Sequence, residues 1–303
     1  MTTTTGAHAS PTITVGDVSL TALLDTDVAF PLPIDQVFTG LAPEDWEVNR
    51  ARYPGAFSAA GGWRYVVTCY LLRAGDHRLL VDTGCGSAAL AFPSFIGVGG
   101  ALRNRLAALG VSAHEIDTVV ITHIHPDHVG GVLATGTGEP SPAFPRARYL
   151  VPRRDWEAWS RPEVQDAFPV PYVGDTIAPL IQMGAVDLVE DEGRVSSEVT
   201  LLPTPGHTPG STSVLIDSGG ERALLVGDLW LHPSQVTDPA LACAFDMDAQ
   251  TAQDTRSALA ERIADEGMTM GACHFPEPFG QLVRLEGRHH WMPVVRWPDE
   301  VLR

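Results

Sequence analysis

The sequence predicts an α/β fold of stacked layers, and three observations carry the prediction. Apolar, β-branched runs of strand length recur along the chain, with helical stretches between them. Several of these runs end on a single His or Asp followed by a turn, in both halves of the chain. Of the 303 residues, 44% are hydrophobic and 19% charged, ample material for a large core. Length alone would suggest two domains. No linker-like stretch divides the chain, so residues 1–303 read as one domain with a flexible segment at 1–12.

The elements follow in order. Residues 13–25 read as a hairpin turning at Gly16-Asp17, and 65–72 with 78–82 as a second pair turning at Gly75-Asp76. A helix at 101–109 stops at Gly110, a residue suited to the left-handed end of a helix. Ser112-x-x-Glu115 is a capping box opening a short helix before a strand at 118–122. Strands are expected near 148–151, 199–202, 212–216 and 223–227. A helix at about 250–265 ends at Gly267, and its Leu259 and Ile263, four apart, share one apolar face. Two segments read as loops. Residues 30–63 hold Phe30, Trp46, Tyr53, Phe57 and Trp63 among prolines and glycines, and residues 91–100 are apolar and turn-rich.

The chemistry concentrates in His123-Ile124-His125-Pro126-Asp127-His128, directly after the β-branched run 118–122. A strand end holds the backbone still while the following loop lets side chains converge. His123 and His125 are two apart and can face one centre; Asp127 and His128 can face a second, the pattern expected for two metal ions. Two ions need more ligands. Three other strand ends offer them: His207 in a loop of prolines and glycines, Asp228 after the run 223–227, and His274 after the run 268–273. Asp82 ends another apolar run and is the candidate carboxylate to receive a ring N–H from a metal-bound histidine. Cys273 beside His274 reads as a core residue, because neighbours along a strand point to opposite faces.

The order Asp82-Thr-Gly, His123-x-His-x-Asp-His128, Gly206-His207-Thr-Pro-Gly, Gly227-Asp228 and His274 resembles the metallo-β-lactamase superfamily, motif by motif, over residues 82 to 274. The resemblance implies an αββα four-layer sandwich with a binuclear site on its edge. His123, His125 and His207 would hold one ion, Asp127, His128 and His274 the other, and Asp228 would bridge them. The outer segments are similar to methyl parathion hydrolase-like enzymes and acyl-homoserine lactonases. Val15-Gly-Asp-Val opens the chain in their manner, as do Val66–Leu72, Phe144–Tyr149 and His274-Phe-Pro further on. The chain has His125 where the di-iron redox branch carries Glu, and Asp228 where the best-known zinc β-lactamases carry Cys.

What this implies is a hydrolase using a metal-bridging hydroxide on a lactone or carboxylic ester with an apolar substituent. Organophosphate triesters and thioesters are the alternative electrophiles, and a non-hydrolytic metal-binding or redox protein the alternative of another class. Two divalent ions are expected, zinc first, with iron, manganese or cobalt as substitutes. Asp127 would pass a proton to the leaving group. Relatives often place Tyr or His three residues after the bridging Asp to contact substrate. Here that position is Leu231, so His232 is the candidate catalytic replacement, or else the cap of a turn before Pro233. Segments such as 30–63 roof the site and form a dimer contact in related enzymes, which makes a homodimer an expectation here and favours an apolar small-molecule substrate.

Composition excludes other partners. With 20 Lys+Arg against 37 Asp+Glu, a formal charge of −17, a polyanion such as nucleic acid is a poor substrate. No basic and apolar leader pattern follows Met1, and no stretch is long enough to span a membrane, so a cytoplasmic protein without a membrane partner is expected. Four scattered cysteines fit a reducing compartment.

Overall fold

Strand-forming runs that alternate in burial assemble, in a computed structural model, into two seven-stranded sheets whose strands lie side by side in chain order, beside a small two-stranded sheet that pairs Phe38–Thr39 with Ala242–Cys243. The structure describes residues 10–134, 136, 139–167, 171–190 and 192–298. In the first sheet β1 (Thr12–Val15), β2 (Val18–Ala29), β3 (Arg64–Ala74) and β4 (His77–Val81) pair antiparallel. Then β5 (Thr118–Val120), β6 (Arg148–Pro152) and β7 (Val186–Val189) add in parallel. The second sheet runs through β8 (Gly193–Arg194), β9 (Val199–Pro203), β10 (Thr212–Ser218) and β11 (Glu221–Leu225). It continues in β12 (Thr269–Gly271), β13 (Phe279–Leu285) and β14 (Arg288–Val295). β11 and β12 pair in parallel, and the helix Ala249–Glu266 makes the crossover between them.

Period-two alternation places the layers. On β3, Tyr70 and Leu72 point inward and meet Val214, Ile216 and Phe279 of the second sheet. Cys69 and Leu71 point outward, under Leu102, Leu106 and Ile177. On the second sheet Leu224 and Met270 lie beneath Leu259 and Ile263 of the long helix. The result is the four-layer αββα sandwich, each buried aliphatic side chain contributing roughly 1.5–3 kcal/mol of transfer free energy. Among the described residues, no helix is long and apolar enough to cross a membrane.

The structure departs from the sequence reading in four places. Residues 43–52 form a helix rather than a loop, with Pro43 in the first turn, Glu44 and Asp45 beside it, and Arg50 and Arg52 at the other end. Its buried residues are Trp46 and Asn49, so no apolar stripe announces it. Ala91–Ile96 is also helical and ends on left-handed Gly97. The strand expected at 118–122 stops pairing at Val120, which frees Ile121 and Thr122 to lead into the site. The flexible segment expected at 1–12 lies outside the described residues up to residue 9; beyond it Ser10 and Pro11 are buried, and Ala22 N donates to Pro11 O at 2.8 Å.

Candidate metal centre

One edge of the sandwich collects the ends of β4, β5, β9, β11 and β12, and each delivers a residue to the same point. Beyond β5 the chain turns through Pro126–Val129, a single helical turn with proline at its start, which projects Asp127 and His128. His207 sits on a loop pressed against the long helix. Gly206, at φ 130°, makes that possible, since a Cβ there would lie 2.2 Å from Ala252 N. Gly227, at φ 53°, lets the chain pass Thr122 and presents Asp228.

Two groups of buried ligand-type atoms result: His123, His125, His207 and Asp228, and Asp127, His128, Cys273 and His274. In the first, His125 Nδ1 lies 3.0 Å from His123 Nε2 and 2.9 Å from His207 Nε2. In the second, Asp127 Oδ2 is 3.3 Å from both His128 Nε2 and His274 Nε2. Asp228 touches both groups. Its Oδ2 stands 3.4 Å from His207 Nε2 and 2.9 Å from His274 Nε2, and its Oδ1 3.2 Å from His128 Nε2. Atoms bound at 2.0–2.2 Å around a tetrahedral ion lie about 3.3–3.6 Å apart, which is the scale of these separations. Among the described residues His128 Nε2 and Asp228 Oδ1, which face each other, are buried without a hydrogen-bond partner, as expected of atoms shaped to face a cation. The donor set therefore fits two divalent ions.

Each imidazole that points Nε2 inward is fixed from behind. His128 Nδ1 donates to Asp82 Oδ2 at 2.8 Å, and His123 Nδ1 lies 3.1 Å from Thr122 Oγ1, which itself donates to Asp82 at 2.8 Å. Asp82 thus serves both groups, and it does so from φ 62°, a left-handed conformation that costs a non-glycine residue about 1–3 kcal/mol. His274 Nδ1 donates to Val66 O at 2.6 Å. His207 Nδ1 donates to Asp246 at 3.0 Å, and Arg256 of the long helix holds Asp246 from the other side at 3.2 Å. Asp155, fully buried, accepts from Ile124 N at 2.7 Å and Gly210 N at 2.6 Å, tying the two ligand loops together. Sequence reading missed Asp246 and Asp155, since neither lies in a ligand-like run.

Electrostatics divides the cluster. Burial pushes His123 well below the usual imidazole range, reinforced by His128, and does the same to His125, reinforced by His207. Burial also opposes charge on His207, yet hydrogen bonds to Asp228 and Asp246 bring it up to about 9. For His274 burial is likewise overcome, by Asp228 and Asp127, to about 9. Asp127 and Asp228 stay well below the carboxylate range against burial, through the imidazoles around them. Buried carboxylates that call for positive charge on their neighbours are an environment for cations, and cation binding would displace the protons.

Beside the cluster opens an apolar cavity of about 150 Å³ walled by Phe30, Trp63, Phe92, Phe95 and Leu231, with His125, Asp127 and His274 at its polar end. A larger hollow of about 570 Å³ borders Asp25, Gly86 and Arg103 and reaches none of these ligands. His232, expected at the site, does not reach it. Gln235 Oε1 accepts from Leu231 N and His232 N and turns His232 inward, where it is fully buried against Phe38, Trp46 and Phe57. Its Nδ1 accepts from Ser234 N at 3.2 Å, the turn-capping alternative, and burial drives its pKa down to about 3. Leu231 lines the cavity instead. Cys273 is buried in the apolar cluster of Phe38, Trp63 and Leu231, the core position the sequence suggested, and its sulfur lies within 4.8 Å of the ligand atoms of Asp127, His128 and His274. Tyr65, which carried no signal in the sequence, lines the cavity, donates to Asp127 Oδ2 at 2.6 Å and stacks on His274 at 4.8 Å.

This chain is similar in sequence and in fold to proteins already known. The family model described as the metallo-beta-lactamase superfamily matches residues 62–274. An N-acyl homoserine lactonase of Bacillus sp. is 28% identical over 184 residues, 56% of this chain and 64% of that protein, so the match spans just under two thirds of its length. The N-acyl homoserine lactonase AiiA of Bacillus thuringiensis subsp. kurstaki is 27% identical over 192 residues, 59% of this chain and 67% of that one. Among solved structures, the hydrolase AbOPH superposes with a TM-score of 0.82 at 25% identity, covering 97% of this chain and 100% of that one. AidC, a dizinc quorum-quenching lactonase, superposes with a TM-score of 0.79 at 22% identity, covering 96% and 99%.

Proposed function

The chain belongs to the metallo-β-lactamase superfamily, and we propose that it is a binuclear metal-dependent hydrolase of lactones or carboxylic esters with a compact apolar substituent. The observation that carries the reading is Asp228, whose two oxygens each face imidazole nitrogens, with both ligand groups within reach. His123, His125 and His207 would hold one cation, Asp127, His128 and His274 the other, and Asp228 both; a ligand set of imidazole and carboxylate suits zinc. When bound, such cations supply a water acidified from 15.7 to roughly 7 and a Lewis acid for the ester carbonyl.

The rest falls to the chain's own residues. Asp82 and Asp246 hold imidazole rings in one tautomer, so the ligand atoms need no reorganisation when charge develops. Asp127, which lines the cavity beside the cluster, would carry a proton to the departing oxygen. The ring-lined cavity would take an acyl or aryl group and keep bulk water from the reacting carbonyl, and its lining includes no Lys or Arg to draw a nucleotide's phosphates away from the ligand cluster. The curated lactonases that share 27–28% identity, one of them AiiA, support a lactone or ester as the electrophile.

The test is metal analysis coupled to turnover of three compounds: an acyl-homoserine lactone, an aryl ester and an aryl phosphotriester. The proposal expects two metals per chain and faster turnover of the first two compounds. One or fewer tightly bound metals per chain, or a preference for the phosphotriester, would overturn it.

A further inference from the structure

The apolar cavity needs something to hold the reacting oxygen of a substrate, and its walls supply little. Leu231 offers no hydrogen, and His232 is turned away into the rings of Phe38 and Trp46. Of the side chains lining the cavity, leaving aside the candidate ligands, Tyr65 and Trp63 carry a donor hydrogen. The Tyr65 ring is fixed by stacking on His274 at 4.8 Å and by the edge of Trp63 at 4.9 Å, so its hydroxyl is held at the seam between cavity and cluster. There it meets Asp127 Oδ2 at 2.6 Å, an oxygen that also faces His128 and His274 and has other partners to draw on. The Trp63 indole N–H is buried with no hydrogen-bond partner among the described residues, the kind of group that a bound oxygen satisfies.

Building on the hydrolase reading, we propose that the Tyr65 hydroxyl is a catalytic hydrogen-bond donor to the carbonyl oxygen of the substrate, in a wall where Leu231 and His232 supply none. The phenol gives no proton away; it holds the oxygen while charge grows on it, a role served by position alone.

The test is Tyr65→Phe in the metal-loaded protein, which keeps the ring, its stacking and the apolar wall. Metal content is measured first, then calorimetric binding of hexanoate as a probe that carries both an acyl chain and an acceptor oxygen, then turnover of phenyl hexanoate. The expected result is unchanged metal content, hexanoate binding weakened about tenfold, and kcat/KM lowered about ten- to a hundredfold. Unchanged hexanoate binding overturns the proposal. So does loss of metal from the variant, which would make Tyr65 a support for Asp127 alone. If the unaltered protein binds hexanoate through Tyr65 but turns over no ester, the contact stands and the hydrolase reading fails, so the two are separated.

Discussion

His128, His207 and His274 each hand a ring N–H to a fixed acceptor, whereas across the cavity Phe30, Trp63 and Tyr65 hold one another by ring contacts of 4.9–5.1 Å. The first wall is directional. The inward nitrogens of His128, His207 and His274 are each aimed by a partner on another strand or loop, so a small displacement loses the bond. The second wall is held by contact area, which gives ground gradually. On the proposed function, chemistry falls to the first wall and selectivity to the second. Changes in the ligand wall should act nearly all-or-none on turnover, and changes in the aromatic wall should grade the preference among substrates.

The strongest break of the first wall is Asp228→Ala. It removes the carboxylate whose oxygens face imidazoles of both groups, so hydrolysis should fall on the order of a thousandfold or more while the circular dichroism spectrum is kept. Full activity in that variant would remove the bridging role. Next comes Asp246→Asn, which weakens the acceptor behind His207 and unpairs Arg256. Metal affinity, read by competition with a coloured chelator, should drop about 10–100-fold at one equivalent per chain and little at the other. An equal loss at both would merge the two halves of the cluster.

The aromatic wall answers more softly. Phe95 is 38% exposed and closes the mouth of the cavity edge-on to Phe30. Phe95→Ala should raise KM for long acyl chains about three- to tenfold, with kcat and metal content unchanged. The smallest effect on chemistry is expected at His232→Gln, where kcat/KM should stay within about threefold. Stability is where His232 acts. Its folded pKa of about 3 lies below the usual 6.5, so the buried ring stabilises the fold at neutral pH, and that contribution fades as pH falls from 6.5 toward 3. Thermal denaturation between pH 7 and pH 4 should show a shallower loss for the variant than for the unaltered chain.

Much of the ligand wall could be read in the sequence because its residues are rare types at strand ends, and a strand end is visible as an apolar run stopped by a turn. His123 to His128, His207, Asp228, His274 and Asp82 all share that signature. Asp246, Asp155 and Tyr65 do not. They act across 39, 31 and 62 residues of chain, on partners that only the fold brings near. His232 could be read only as substrate contact or turn cap, because local spacing cannot show that the Gln235 side chain turns it inward. The same holds for the fold. Strands and the long helix carry their period on the surface of the sequence, whereas the helix at 43–52 buries Trp46 and Asn49 with no apolar stripe. The β13–β14 hairpin had a readable turn in Glu286-Gly287, both at positive φ, that composition alone did not single out.

The central claim is that two cations, shared through Asp228, act together in ester or lactone hydrolysis. Titrating metal-free protein with zinc while following hydrolysis of an acyl-homoserine lactone tests it most directly. Activity that climbs to a plateau at two equivalents per chain is the predicted result. Full activity reached at one equivalent, with no further rise at the second, would contradict it.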